Sequence, residues 1–402
     1  MLPKTITLYK NAYAGLTRRI WLLSLVMLIN RSGTMVLPFM TLYCKKIGYS
    51  TQQAGWVVAF YGLGAIAGAF LGGKISDRFG FYYTQFCALF CGGLLFLLLG
   101  QMQTYTSICV CTFCLSMVNE SFRPANASAI AYYSSAANRT QSFSLVRLAI
   151  NLGWGVGGAL GGLLASVNYH LLFWVDGATN IVAAVLLLII LPSVTKAQQI
   201  QKEQKKEIKK EKMASPFADK TFMVFIGFKV LFAFCFFQLF TTVPLFFKEG
   251  LHLTEFWIGA VMSLNGIMIA VFEMVIVFKL EGRYAYLTLM VYGSLLMALS
   301  FYMLNIPAAN GLFIALLSTF TVTVAEMTAM PFMNTWYINR SNETNRGQYA
   351  AVYTMAWSTA QVIGSSTGAF IAFALGFTNL WWVIGTISLI AAFGYYQLQQ
   401  RD

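Results

Sequence analysis

Residues 194–220, VTKAQQIQKEQKKEIKKEKMASPFADK, form the one stretch of this sequence that looks soluble. Eight of the 27 lysines and arginines fall between Lys196 and Lys220. The 402-residue chain as a whole is unusually apolar, with 58% hydrophobic and only 10% charged residues. An average soluble domain carries about 25% charged residues, so this composition excludes a water-soluble globular protein. We therefore expect a helical membrane protein that the basic segment divides into two parts.

Twelve apolar segments are long enough to cross a bilayer as helices, which takes about 20 residues. They are predicted near 20–44, 52–73, 83–100, 105–131, 141–165, 169–192, 221–247, 255–279, 284–303, 309–336, 347–374 and 378–397. Such long apolar runs do not fit barrel strands, which are short and alternating. We expect an all-α membrane protein with a six-helix bundle at 1–192, a cytoplasmic basic linker at 193–220 and a second six-helix bundle at 221–402.

The distribution of basic residues predicts the orientation, because cytoplasmic loops carry an excess of Lys and Arg. With the N-terminus inside, 20 of the 27 basic residues fall in cytoplasmic segments, and only Lys45, Lys46 and Lys248 fall in outer ones. We therefore expect a multi-pass membrane protein with both termini in the cytoplasm. The net charge of +13 is then a signal of topology, and no nucleic-acid partner is expected.

The two halves of the chain repeat one another. The tetrad Asn138–Gln141, Asn-Arg-x-Gln, returns 207 residues later at Asn345–Gln348. The same offset relates Pro124, Gly157 and Gly161 to Pro331, Gly364 and Gly368, and an offset of 204 relates Gly55, Gly62 and Asp77 to Gly259, Gly266 and Glu281. Two six-helix halves related by a parallel repeat are typical of secondary transporters, whose site lies between the halves near the bilayer midplane.

The loop between the second and third predicted helices, GGKISDRFG, resembles a signature of the major facilitator superfamily, G-x-x-x-D-R-x-G-R-[KR]. Four residues match it: Gly73, Asp77, Arg78 and Gly80. Phe81 and Tyr82 stand where the family usually has basic residues. The resemblance extends over essentially the whole chain and implies that this loop gates the cytoplasmic side. Arg147, on the fifth helix, is a further gating candidate that could latch to Asp77.

Two other stretches resemble the drug:proton antiporter branch of that superfamily. GWGVGGALGG in the fifth helix is similar to the antiporter motif G-x-x-x-G-P-x-x-G-G, with its small residues at Gly153, Gly157, Gly158, Gly161 and Gly162. Gly158 replaces the proline, and simple helix packing by small residues is the alternative interpretation. NESFRPANA in the fourth helix and its counterpart AEMTAMPFMN in the tenth also resemble sequences of this branch.

Eight charged residues remain at membrane depth: Arg31, Arg123, Arg147, Lys229, Glu120, Asp176, Glu273 and Glu326. A charge in the membrane is costly unless it is paired or hydrated, so each is a functional candidate. Glu120 and Arg123 share a helix face because they are three residues apart, and the family resemblance implies that Arg31 lies beside them. Either these three side chains satisfy one another structurally, or the two arginines contact an anionic or polar group of a substrate.

Glu326 has no cation within four residues along its helix, and burial without a partner favours the protonated carboxylate. We therefore predict Glu326 as the first proton-coupling residue, with Glu120 as the second. Lys229 on the seventh helix would oppose this hypothesis if it reached Glu326. The predicted substrate-binding side chains are Arg31, Arg123, Tyr61, Asn265, Trp357 and Gln361.

Together with these features, the resemblance to the antiporter branch implies a secondary active transporter of the bacterial inner membrane that exports small amphiphilic compounds in exchange for protons by alternating access. Two alternatives stay open, namely proton-coupled uptake of an anionic metabolite and flipping of lipid or lysolipid. An enzyme is not expected, because His170 and His252 lie in outer loops and no catalytic motif is visible. We expect no cofactor and no metal site. The expected partners of a monomer are a small-molecule substrate, protons and membrane lipids.

Overall fold

The computed structural model describes residues 2–194, 215–307, 310–342 and 345–400, and its regular structure in these ranges is helical throughout. Most of the predicted basic linker 193–220 lies outside the described residues. The cytoplasmic role of that linker therefore stays a prediction.

Nine α-helices are described in the first half of the chain: α1 (Leu2–Tyr13), α2 (Arg18–Ser32), α3 (Val36–Lys46), α4 (Thr51–Phe79), α5 (Phe81–Leu99), α6 (Tyr105–Glu120), α7 (Phe122–Tyr133), α8 (Arg139–Val167) and α9 (His170–Ile190). Six are described in the second half: α10 (Lys220–Phe237), α11 (Thr242–Glu249), α12 (Glu255–Leu280), α13 (Tyr286–Met303), α14 (Gly311–Arg340) and α15 (Arg346–Gln399). Gly376 interrupts α15 with a φ of 82°, so that α15 consists of two joined spans.

By length and composition, ten helices in the described part of the chain could each cross a membrane. The predicted span 105–131 is absent from these ten because it is divided into α6 and α7, which have only 16 and 12 residues. The last two predicted spans count as one because α15 continues through Gly376. Each of the twelve predicted spans therefore has a helical counterpart, and the all-α membrane fold is confirmed.

The helices form two compact units. We call Leu16–Asp219 with Arg340–Met355 the first unit, and Met1–Gly15 with Lys220–Asn339 and Ala356–Asp402 the second unit. The start of α15 thus packs with the helices of the first half, whereas α1 packs with those of the second half. The boundaries 1–192 and 221–402 for the two bundles remain a prediction.

The first membrane span of each half is broken at a matching place. Residues 33–35 separate α2 from α3, and Pro38 is the third residue of α3. Residues 238–241 separate α10 from α11, and Pro244 is the third residue of α11. A proline in the first turn is tolerated because the N–H that it lacks would have no partner within the helix. The internal repeat therefore extends from sequence to backbone geometry.

The first asparagine of the repeated tetrad accepts an equivalent hydrogen bond in both halves. The backbone N–H of Ser135 donates to Asn138 Oδ1 at 2.9 Å. In the other half, the N–H of Asn342 donates to Asn345 Oδ1, also at 2.9 Å. Each asparagine directly precedes a long helix, α8 or α15. The asparagines of the repeat thus have equivalent roles just before these helices.

The glycines of the fifth predicted span let α8 approach the first span closely. Cβ atoms added to three of them would lie only 2.6–3.1 Å from atoms of residues 28–39: Gly153, Gly157 and Gly161. The other two have no such neighbour within 4 Å: Gly158 and Gly162. Close packing, the alternative interpretation of this motif, therefore accounts for three of its five glycines.

We expect Gly153→Ala to destabilise the protein by about 1–3 kcal/mol, the usual cost of overpacking. The added methyl group would lie 2.6 Å from the Cβ of Arg31. Gly158→Ala is the matched control, because its methyl group would meet no such neighbour within 4 Å. Thermal unfolding of both variants in detergent checks this, and equal midpoints would contradict the packing argument.

Candidate functional site

An ion pair lies at the bend between α6 and α7 in the first unit. Arg123 Nε is 2.7 Å from Glu120 Oε2. Glu120 is buried, with 5% of its surface exposed, whereas the side chain of Arg123 is 31% exposed. Ser121 separates the two helices and places both charged residues at the bend. The two residues that the sequence places on one helix face thus neutralise each other.

Arg31 lies near this ion pair, at the end of α2. It is half-buried and interacts electrostatically with Arg123, Glu120 and Tyr61. Arg31, Tyr61 and Glu120 all line a cavity of about 40 Å³ inside the first unit. Two guanidinium groups and one carboxylate leave this cluster with a net positive charge. The structure therefore brings together four of the residues that were selected from the sequence.

Asp176 of α9 lines the same cavity and caps the break in the first span. Its carboxylate accepts hydrogen bonds from the N–H groups of Met35, at 3.0 Å, and Val36, at 2.8 Å. These groups stand at the N-terminus of α3, where the helix dipole favours a negative charge. Beside it, Asn30 Nδ2 donates to Asn180 Oδ1 at 2.9 Å. Asp176 and the asparagines therefore stabilise a gap in the helix that would otherwise leave backbone groups unsatisfied.

A second polar cluster surrounds Glu326 of α14 in the second unit. Glu326 is only 2% exposed. Asn265 Nδ2, on α12, lies 2.9 Å from both Glu326 Oε1 and Thr323 Oγ1. An apolar cluster that includes Met268 and Met327 packs between the same two helices. The predicted proton-coupling residue and a predicted substrate-binding residue are therefore in direct contact.

The same unit contains an aromatic cluster with a buried cation. Lys229 Nζ, on α10, lies 4.9 Å from the ring centroid of Trp357 on α15. The Trp357 ring also packs against Phe236 and Phe237, with centroids 5.2 and 5.0 Å apart. A cation over an indole face is attracted by the ring quadrupole. Gln361, one turn after Trp357, is exposed, and it stays a prediction as a substrate-binding residue.

The loop signature forms a cap for α15 inside the first unit. The Asp77 carboxylate accepts hydrogen bonds from the N–H groups of Gly347, at 2.7 Å, and Gln348, at 2.9 Å. Gly73, one turn before Asp77, packs directly on α15, where an added Cβ would lie 2.5 Å from the Gly347 carbonyl oxygen. A side chain at Gly73 would therefore separate the carboxylate from the groups that it caps.

The other predicted gating residues have separate roles. Gly80 ends α4 with a φ of 94°, a conformation that favours glycine. Arg78 is exposed, and its guanidinium carbon lies 5.2 Å from the ring centroid of Phe79. Arg147 interacts electrostatically with Tyr353 of α15. These positions place Arg147 near the start of α15, and its gating role stays a prediction.

The role of Asp219 was missed by the sequence analysis. Asp219 Oδ2 accepts hydrogen bonds from Arg340 Nε, at 2.8 Å, and from the Tyr349 hydroxyl, at 3.0 Å. The end of the linker is thereby tied to the end of α14 and the start of α15. The available signal was a lone acid between the lysine-rich segment and the apolar α10.

The packing of α1 was also missed. The Tyr9 hydroxyl donates to the Val271 carbonyl of α12 at 3.0 Å. Burial raises the pKa of Tyr13, and the neighbouring Tyr9 and Glu273 add to this increase. Tyr9 and Tyr13 are four residues apart and therefore share one helix face. This spacing of two tyrosines before the first span was the signal that could have revealed the contact.

Comparison with known proteins identifies the same family that the sequence motifs resemble. The family model of the Major Facilitator Superfamily matches residues 20–365. YceJ, an uncharacterized MFS-type transporter of Bacillus subtilis (strain 168), is 24% identical over 250 residues, which are 62% of this chain and 63% of that relative. Multidrug resistance protein 2 of the same strain is 24% identical over 260 residues, which are again 62% of this chain and 63% of that relative. The match thus spans less than two thirds of the length of these relatives.

A solved structure has a similar fold. The crystal structure of the human organic anion transporter MFSD10 aligns with 94% of this chain and 99% of its own, with a TM-score of 0.74. The identity in this alignment is 14%. At that level, the likeness concerns the fold alone.

Proposed function

We propose, because the chain belongs to the Major Facilitator Superfamily, that it exports small amphiphilic compounds in exchange for protons. Such a protein performs transport and no enzymatic reaction. The bacterial relatives support a location in the bacterial inner membrane, and the loop charges support a cytoplasmic position of both termini. The protein is proposed to act as a monomer. The observation that carries the proposal is the buried carboxylate of Glu326.

Glu326 is suited to bind and release a proton. Its carboxylate is buried, and one of its contacts comes from the neutral amide of Asn265. An amide N–H can donate to a charged carboxylate or to the carbonyl oxygen of a protonated one. The contact therefore persists in both protonation states, while the cost of burying the charge disappears on protonation. A proton bound here changes the relative free energies of the two access states, as coupling requires.

The aromatic cluster supports an amphiphilic substrate. Trp357 and its phenylalanine neighbours offer an apolar surface, and Lys229 supplies one charge beside it. Ligand sites of this kind combine many apolar contacts with a few polar anchors. The relative named Multidrug resistance protein 2 supports efflux as the direction of transport.

Everted membrane vesicles test the direction of transport. We expect vesicles that contain the protein and are acidified inside to accumulate ciprofloxacin, a fluorescent amphiphile, above the level of vesicles without it. A protonophore should abolish the difference, because protons leaving the lumen drive the exchange. Equal accumulation with and without the protein would contradict export of this compound.

One observation favours a second candidate, proton-coupled uptake of an anionic metabolite. The cluster of Arg31, Arg123 and Glu120 carries a net positive charge. Uptake requires the opposite sidedness, so right-side-out vesicles in acidic medium would accumulate the compound. The two vesicle orientations therefore separate the two candidates.

A further inference from the structure

We infer that the cavity in the first unit binds the carboxylate group of an organic acid through Arg31. This inference rests on the proposed transport function and specifies its substrate as an amphiphile with a carboxylate head. It applies to export and to uptake, because it concerns binding and not direction.

Both acids that line the cavity have direct partners other than Arg31. Glu120 is neutralised by Arg123, with 2.7 Å between Nε and Oε2. The Asp176 carboxylate accepts three backbone hydrogen bonds of 2.8–3.0 Å at the start of α3. Neither acid therefore forms a direct ion pair with the remaining cation of the cavity wall, Arg31, although Glu120 attracts it from a greater distance.

Arg31 has no direct hydrogen-bond or ion-pair partner for its guanidinium within the parts of the chain that the structure describes. Its Nε is inaccessible and has no hydrogen-bond partner there, and Glu120, which attracts it, forms its ion pair with Arg123. A partly buried guanidinium without an anion in direct contact is costly. A carboxylate that entered the cavity would supply the missing charge and could accept two parallel hydrogen bonds from the guanidinium fork.

The volume of the cavity limits what enters it. About 40 Å³ is enough for a group of a few atoms and far below the roughly 300 Å³ at which drug-sized sites begin. The apolar part of the ligand must therefore stay outside. Tyr61 and Asn119 also line the wall and offer neutral hydrogen-bonding groups to the carboxylate.

Packing holds Arg31 in place. A Cβ on Gly153 would lie 2.6 Å from the Arg31 Cβ, and a Cβ on Gly157 would lie 3.2 Å from the Arg31 carbonyl oxygen. Because α8 presses on this residue, its backbone has little freedom to shift. A confined backbone at the binding residue lowers the entropy that is lost on binding. The glycines at these two positions therefore support the site as well as the fold.

A pair of ligands that differ in charge alone tests the inference. We would titrate the purified full-length chain in detergent with 2-naphthoate and with 2-naphthamide by isothermal titration calorimetry. A hydrogen bond to a charged group contributes about 1.5–3 kcal/mol. We therefore expect 2-naphthoate to bind roughly 10- to 100-fold more tightly than the amide. Arg31→Gln should remove this preference, and Arg31→Lys should retain part of it.

Equal affinity for the two ligands in the native protein would overturn the inference, and so would a preference that persists in Arg31→Gln. The comparison within the native protein stands even if the variants fold poorly, and Gly158→Ala serves as a folding control. Transport is scored separately in the vesicles. Preferential binding of 2-naphthoate without proton-driven transport would leave the pocket intact and contradict the proposed function. Transport of amphiphiles without preferential binding of 2-naphthoate would support the proposed function and contradict the carboxylate site.

Discussion

Replacing Glu326 by glutamine is expected to reduce proton-driven transport to the level of vesicles without the protein. Glutamine has nearly the same shape as glutamate, and its side-chain carbonyl can still accept the 2.9 Å hydrogen bond from Asn265. It cannot take up or release a proton. The variant should therefore keep its fold and its affinity for substrate while losing the coupling to the gradient.

Two assays on the same vesicles separate loss of coupling from loss of the protein. Gradient-driven accumulation of ciprofloxacin should disappear in Glu326→Gln, whereas exchange of labelled for unlabelled compound at equal pH on both sides should continue. Glu273→Gln is the matched control, because Glu273 is buried to the same degree on α12 of the same unit. Accumulation that survives in Glu326→Gln would rule out this residue as the coupling site.

Asp77→Ala is expected to release the start of α15 from the first unit. The variant loses both hydrogen bonds to the N–H groups of Gly347 and Gln348. Loss of an N-terminal cap costs about 0.5–2 kcal/mol, and the lost interaction of the carboxylate with the helix dipole adds to it. The amides of these two residues should exchange with solvent roughly 2- to 30-fold faster, and the transport rate should fall.

Hydrogen–deuterium exchange of peptides from the start of α15 measures this effect. Arg78→Ala is the control, because Arg78 neighbours Asp77 in sequence while its side chain is exposed and lies against Phe79. Faster exchange confined to Asp77→Ala supports the cap. Unchanged protection of Gly347 and Gln348 in that variant would mean that the carboxylate contributes little to the order of this segment.

The positions of the spans followed from hydropathy, but the breaks within them did not. The first predicted span, 20–44, is divided at residues 33–35, and that gap is stabilised by Asp176, more than 140 residues away. A contact of this kind has no local signature in the sequence. The division between α6 and α7 was not predicted either, because both helices are apolar and only Ser121 separates them.

The sequence predicted individual residues of the candidate sites, but not the contacts between them. Glu326 was predicted from its charge at membrane depth and Asn265 as a substrate-binding residue, yet their hydrogen bond depends on how α12 packs on α14. Arg31 was expected in a cluster with Glu120 and Arg123, but the ion pair forms between the latter two residues. Motif resemblance also could not show which glycines of α8 face a neighbouring helix, because that depends on the rotation of the helix about its axis.

The contact between α1 and α12 determines what a spectroscopic probe near the N-terminus would report. Through Tyr9, α1 is attached to α12, although it lies in the first half of the sequence. A fluorophore or spin label on α1 would therefore report on the second unit. A label on α9 would instead report on the first unit, although chain order alone places both labels in the same half.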